Sequence, residues 1–358
     1  MKLPSYASWP CYGLLAFGAC SLSSCAPSGF ASENLIDSVR IMASSVRTPD
    51  SPYVAPGAQV TVDVLADDGR ATQSPTMTLW WFPYPCINPE NDAYYNCFPQ
   101  FAALAGMASP GQNLSSILPS GQETTFTMPA DAVTTHPQTP GTPVVDGVPA
   151  YYGLAILFNF ACAGQLELLP IDPNDNNPQA LPMGCFDSQH NQLGPEDFVF
   201  GFTTVYAYDP TMLAALSNTN PVIQSIDFDG TSLTPGPAGP GGVTYAAPAM
   251  NACSASGCPT HKIGPIVPAS SWELNPEAFD DNGNPLHEEL WADFYVTVGN
   301  LDSDARLLYD STTGSIGGPS DTDNTFTPPS SSGPATLWIV VHDSRAGATW
   351  ATVTLTIN

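Results

Sequence analysis

Positive charge is what this 358-residue sequence lacks: 7 lysines and arginines face 33 aspartates and glutamates, for a formal charge of −26. Such a field repels a phosphate backbone, so no nucleic-acid partner is expected. Charged residues of both signs reach 11%, less than half of the ~25% usual in soluble proteins. Helix-friendly composition is also scarce, because 38 prolines and 29 glycines interrupt the chain. No apolar run approaches the roughly 20 residues of a membrane-crossing helix. The signatures G-x-S-x-G, H-E-x-x-H, Walker A and S-x-x-K are absent, so catalysis is not implied. The 43% hydrophobic content nevertheless argues for packed cores over wholesale disorder.

What is present begins at the N-terminus. Met1 and Lys2 precede the apolar stretch Gly13 to Leu22, followed by Ser23-Ser24-Cys25, the order of an export signal. Leu22-Ser23-Ser24-Cys25 resembles the lipobox of bacterial outer-membrane lipoproteins. That resemblance implies cleavage before Cys25 and acylation of its sulfur and new amino group by chains such as palmitate. Because Ala26 follows instead of aspartate, it also implies an outer-membrane address, facing the periplasm or the outside. Two or more acyl chains anchor stably where one is marginal. Residues 1–24 are thus expected to be a signal peptide and residues 25–34 a lipidated tether. A competing site at Phe17-Gly18-Ala19-Cys20 would strand Cys25 as an odd thiol.

Cleavage before Cys25 leaves Cys86, Cys97, Cys162, Cys185, Cys253 and Cys258. Many pairings are formally open. Nearest neighbours are favoured, because Cys86 and Cys97 flank one Asn-, Pro- and Tyr-rich loop, Cys162 and Cys185 flank another, and Cys253 and Cys258 enclose four residues. Zinc at Cys253, Cys258 and His261 lacks a fourth ligand, and an exported chain favours the disulfide.

Strands are expected throughout. Val60, Val62 and Val64, and Met77, Leu79 and Trp81, recur with the period of two that puts one face in a core. Further strand-like runs are SVRIMASSV, ETTFTM, YYGLAILFNFA and DFVFGFTTVYAY. Phe101 to Met107 and Thr211 to Leu216 are long enough only for helical turns. Asn218 to Pro221 is a turn cluster, so one β-sandwich is expected over 35–217 and a second over 218–358. The second should use Ile223 to Phe228, Gly242 to Ala246, Trp272 to Leu274, Leu290 to Val298, Arg306 to Tyr309, Asn324 to Thr327, Thr336 to His342 and Thr349 to Ile357. Trp272, Trp291, Trp338 and Trp350 are read as core residues. PVIQSIDFDG, ELWADFYVTVGNLDSDA and ATLWIVVHDSRAGATWATVTLTI resemble bacterial immunoglobulin-like modules, and RTPDSPYVAPGAQVTVDVLADDG looks like an opening of the same type. The fold class expected is all-β: two antiparallel immunoglobulin-like β-sandwich domains. The long loops at 83–121 and 129–149 depart from a compact module.

Candidate chemistry is sparse. His342-Asp343-Ser344 places three triad residue types side by side, but neighbours on a strand point to opposite faces. His287-Glu288-Glu289 reads as a solvated strand edge. His136, His190 and His261 read as loop residues without identifiable partners, and Lys262 as a loop residue beside Cys258-Pro259. No cofactor is required. Calcium is the candidate ligand, since acidic turns suit a hard cation. It would use Asp172, Asn174 and Asn176, Asp227 and Asp229, or Asp280, Asp281 and Asn282, although Met183 stands where an EF-hand needs glutamate. Each of these segments also reads as an Asx turn. Trp80, Tyr84, Tyr94 and Tyr95 form a candidate aromatic binding patch, set against the alternative of packing inside. The expectation is a membrane-anchored, non-catalytic binding, adhesive or envelope-structural module with a protein or glycan partner. The alternative is an exported hydrolase or carbohydrate-active accessory protein with a site in the long loops of the first domain.

Overall fold

The computed structural model describes residues 33–105, 111–137, 144–145, 147–169, 181–239, 242–254 and 257–358. The expected signal peptide, Cys25, and Asp172, Asn174 and Asn176 lie outside them. Glu33–Asn358 forms one compact unit, an all-β body of mainly antiparallel sheets, in which Tyr53–Val54 with Phe198–Tyr208 and Gly242–Ala246 with Ala348–Ile357 are parallel pairs.

Before Asn218, a three-stranded sheet of Val39–Thr48, Gln59–Asp68 and Glu123–Thr127 faces a five-stranded sheet of Tyr53–Val54, Phe198–Tyr208, Tyr152–Cys162, Thr78–Trp81 and Cys86–Ile87. Val60, Val62 and Val64 are buried between them with Leu79 and Trp81, as the period of two requires. Strand Tyr152–Cys162 is buried on both faces. Ala155, Leu157 and Ala161 enter the core between the sheets, whereas Leu154, Ile156, Phe158 and Phe160 enter a second core on the outer face. The long loops build that second core: helix Phe98–Ala105 and the hairpin of Gln165–Leu168 with Met183–Phe186 cover the sheet. Disulfides Cys86–Cys97 and Cys162–Cys185 tie this layer down, and Cys253–Cys258 is the third bond.

After Asn218, a five-stranded sheet of Thr231–Ser232, Ser225–Phe228, His261–Ile266, Asn324–Thr327 and Asn300–Leu301 faces a seven-stranded one. The latter runs Pro235–Gly239, Gly242–Ala246, Ala348–Ile357, Gly333–Asp343, Leu290–Val296, Ala305–Asp310 and Ser315–Ile316. Ile226, Ile263, Phe294, Phe326, Leu337, Ile339 and Val341 fill the space between, giving a sandwich of the immunoglobulin-like kind. Two expectations need correction. Trp272 follows a short 3-10 turn, and the strand begins at Leu274, pairing with Pro285–His287. Trp272 and Trp291 are half-buried: Trp272 packs against the sandwich core with its ring stacked on Tyr309, whereas Trp291 stacks on His342.

Trp338 and Trp350 are buried, but outside the sandwich core. Trp338, Val340 and Trp350 leave the outer face of the seven-stranded sheet and pack against Ile36, Met42, Ala43 and Leu65. Polar groups seal the same junction. Asn220 Nδ2 donates to the Val46 carbonyl at 2.7 Å and to Asp50 Oδ1 at 2.9 Å, and its Oδ1 accepts from the Ala348 amide. Asn218 Nδ2 donates to the Arg345 carbonyl at 3.0 Å, and Ser45 Oγ to that of Ala348 at 2.6 Å.

Arg345 is the central group of this junction. Helix Pro210–Ala215 starts with Asp209 accepting from the Thr211 and Met212 amides and with proline in its first turn. Past its C-terminal end, the carbonyls of Leu216 and Ser217 accept from the Arg345 guanidinium, a favourable place for a cation. The guanidinium also lies 5.0 Å over the Tyr53 ring and donates to Glu288 Oε1 at 2.8 Å. Glu288 is fully buried, which overturns its reading as a solvated edge: its partner enters from a distant turn. Burial and the neighbouring Asp343 carboxyl push Glu288 up to about 7, against the pull of Arg345.

Candidate functional site

Strand His261–Ile266 builds one wall of a cleft. Along one edge it pairs with Ser225–Phe228 through Ile266. Along the other, its ladder to Asn324–Thr327 ends at Ile263 opposite Asn324. There the chain swings away into Asp323 and helix Pro319–Thr322, and a cleft of about 680 Å³ opens towards Ser315–Ile316, within the usual size of a small-molecule site. Pro265, Ile266, Val267, Leu308 and Ile316 form its apolar floor. Ile266 and Ile316 remain 42% and 58% exposed, so apolar surface faces water at the mouth.

The rim is acidic, with Asp227, Asp229 and Asp323 around Lys262. Asp229 and Gly230 both have positive φ, at 51° and 78°, the turn that joins Ser225–Phe228 to Thr231–Ser232 and suits an Asp-Gly pair. Asp227 Oδ1 accepts from the Gly230 amide at 2.7 Å, and Asp229 Oδ1 from the Lys262 amide at 2.8 Å. Asp323 lies so close to the strand that a Cβ at Gly264 would sit 2.5 Å from its Oδ1. Burial raises the Asp323 pKa, and the charge of Asp227 adds to the rise while Lys262 opposes it.

Lys262 is therefore a strand residue, and the sequence hides the strand because Gly264-Pro265 punctuates it. The histidines also have partners. His261 Nδ1 lies 2.8 Å from Asp229 Oδ2, with its ring stacked on Phe228. His136 is buried, 2.7 Å from Asp92 Oδ1 and against the Tyr152 ring, while the Tyr152 hydroxyl donates to Asp92 Oδ2 at 2.5 Å. Burial and this bond raise the Tyr152 pKa. His190 Nδ1 meets the buried Glu167 at 2.7 Å beside a second cavity of about 550 Å³, lined also by Leu168, Phe186 and Gln192.

His342, Asp343 and Ser344 diverge, as strand geometry demands. His342 meets Asp293, buried Asp343 accepts from the Arg345 and Gly347 amides, and Ser344 Oγ accepts from the Glu289 amide. Asp280, Asp281 and Asn282 form an Asx turn. Asp280 Oδ1 accepts from the Asn282 and Asn284 amides and its Oδ2 from Asn284 Nδ2. Those bonds hold its pKa below the usual carboxylate value. Among the described residues, no three His, Cys, Asp or Glu side chains gather as a metal cluster.

The aromatic patch divides. Trp80 is buried in the outer core because both faces of its sheet are covered, so alternation sends neither Trp80 nor Trp81 to water. Tyr84 and Tyr95 are exposed; half-buried Tyr94 stacks on Phe202 with centroids 4.8 Å apart. Phe202 is the member of this group that the sequence does not single out.

No protein-family model matches the chain, and no curated protein matches it by sequence. Among solved structures it is similar to the D00-D0 domain of intimin, at 11% identity over 88% of this chain and 100% of that one, with a TM-score of 0.18. It is also similar to dimeric latent PorU from Porphyromonas gingivalis, at 11% identity over 90% of this chain and 24% of that one, TM-score 0.20. A third is the C-terminal domain of the Streptococcus pyogenes antigen I/II-family protein AspA, at 10% identity, 90% and 100% coverage and TM-score 0.17. At this level of similarity no residue role transfers from any of them.

Proposed function

We propose that this chain is an exported, lipid-anchored binding module of a bacterial envelope, with the cleft beside strand His261–Ile266 as its ligand site. The cleft carries the reading: a small-molecule-sized opening with an apolar floor and polar rim, lined by acids, one lysine, one threonine and apolar side chains. No serine or cysteine nucleophile lines it. Three disulfides suit an oxidising compartment outside the cytoplasm. Among the described residues no helix is long and apolar enough to cross a membrane, and attachment through Cys25 would leave the whole folded body outside the bilayer.

A fragment library screened against the full exported protein by thermal denaturation tests this reading. Stabilising hits are expected whose effect disappears in Ile316→Trp, which fills the mouth from an exposed position. Hits that all survive that substitution would move the site elsewhere and overturn the reading.

The Glu167–His190 pair supports a second reading as a hydrolase, in which Glu167 orients the ring and His190 takes a proton from water. Turnover of an ester panel that is lost in His190→Gln would support it; a panel left untouched by the wild type would remove it.

A further inference from the structure

Resting on the cleft as a binding site, we propose that its ligand class is a small organic ammonium: a primary amine carried on an apolar chain or ring. Its body would lie on Ile266, Leu308 and Ile316, and its ammonium between Asp227 and Asp323. Three observations converge. The rim sets three carboxylates against one ammonium, so the mouth is locally negative on a chain whose total charge is −26, and that field concentrates cations. Asp323 already senses the charge of Asp227, a repulsion that a cation between them relieves. Side-chain acceptors also outnumber donors at the mouth, since the Thr322 hydroxyl already donates to the Gly318 carbonyl and to Asp323, which leaves Lys262 as the donor against three carboxylates. An ammonium, with three donors and no acceptor, matches that excess of carboxylate acceptors.

The same cleft disfavours an extended peptide. Pro265 sits where the strand loses its neighbour and has no N–H to offer an incoming strand. Nor do the carboxylates approach one another as a metal cluster. A compact amphiphile fits both facts, and its apolar part is what the exposed Ile266 and Ile316 recognise.

Calorimetric titration of the full exported protein with hexylammonium, hexanol and hexanoate at low and at physiological salt tests the proposal. Hexylammonium should bind most tightly and weaken with salt. Asp323→Asn should weaken it about tenfold, the loss of one charge-assisted bond, and Ile316→Trp should abolish it. Lys262→Met should tighten it about threefold by removing a like charge, a gain that no folding defect can imitate. Preference for hexanoate, weakening in Lys262→Met, or equal binding of hexanol would overturn the ammonium assignment while Ile316-dependent binding upholds the cleft. Absence of hexylammonium binding would also overturn the assignment, and the fragment library then decides separately whether the cleft binds anything.

Discussion

Arg345 donates to Glu288 at 2.8 Å, with side chains 3% and 0% exposed. Asp343 lies two residues before Arg345 in the same turn and is also buried; it accepts from the Arg345 and Gly347 amides and feels the guanidinium through its charge. Asp343 is held above its usual pKa by burial, against its bonds from the Gly347 and Arg345 amides. The site consequently favours keeping a proton.

Stability should therefore depend on pH through Glu288. Its pKa rises from the ordinary 4.5 of a glutamate to about 7 in the fold, so the folded state binds the proton more tightly. The stabilisation is fully present below pH 4.5 and is lost as pH rises through about 7, on the order of 3 kcal/mol. Urea unfolding should give a higher midpoint at pH 5 than at pH 8, and Glu288→Gln should flatten the difference. A difference of the same size in Glu288→Gln would locate it in other carboxyls.

Removing the cation should be more damaging than removing the acid. Arg345→Met leaves Glu288 and Asp343 buried without it, and breaking a buried pair from one side costs about 3–5 kcal/mol. Adding Glu288→Gln to Arg345→Met should restore part of the loss. Equilibrium unfolding of the four proteins closes the cycle, and additive effects would show that the two side chains are not coupled.

The disulfides should rank by loop length. Cys162–Cys185 closes 23 residues and Cys253–Cys258 closes 5, so the chain-entropy relation gives about 3.4 and about 2 kcal/mol respectively. Replacing each pair by alanine and measuring the urea midpoint checks this. Equal losses would mean that packing around the sulfurs outweighs loop entropy.

Most of the fold is legible in the sequence because local pattern and packing agree. Val60, Val62 and Val64 alternate and are buried, and the neighbouring cysteines pair. Alternation misleads where a sheet is covered twice. Trp80 is a candidate for exposure only while the long loops are imagined apart from the sheet, and those loops instead supply Phe98, Phe101 and Leu114 to its outer face. Glu288 misleads for a related reason, since its partner is 57 residues away. The cleft itself is hidden in His261–Ile266, whose glycine and proline mask a central strand. Gly264 is there because Asp323 crowds it, a long-range cause with no local signature.

The intact mass of the native protein tests the central claim most directly, because export, anchoring and the disulfide-bonded body all register in one number. The expected species begins at Cys25, carries fatty acyl chains and lacks the six hydrogens of three disulfides. An uncleaved chain with all nine cysteines as free thiols would contradict the account.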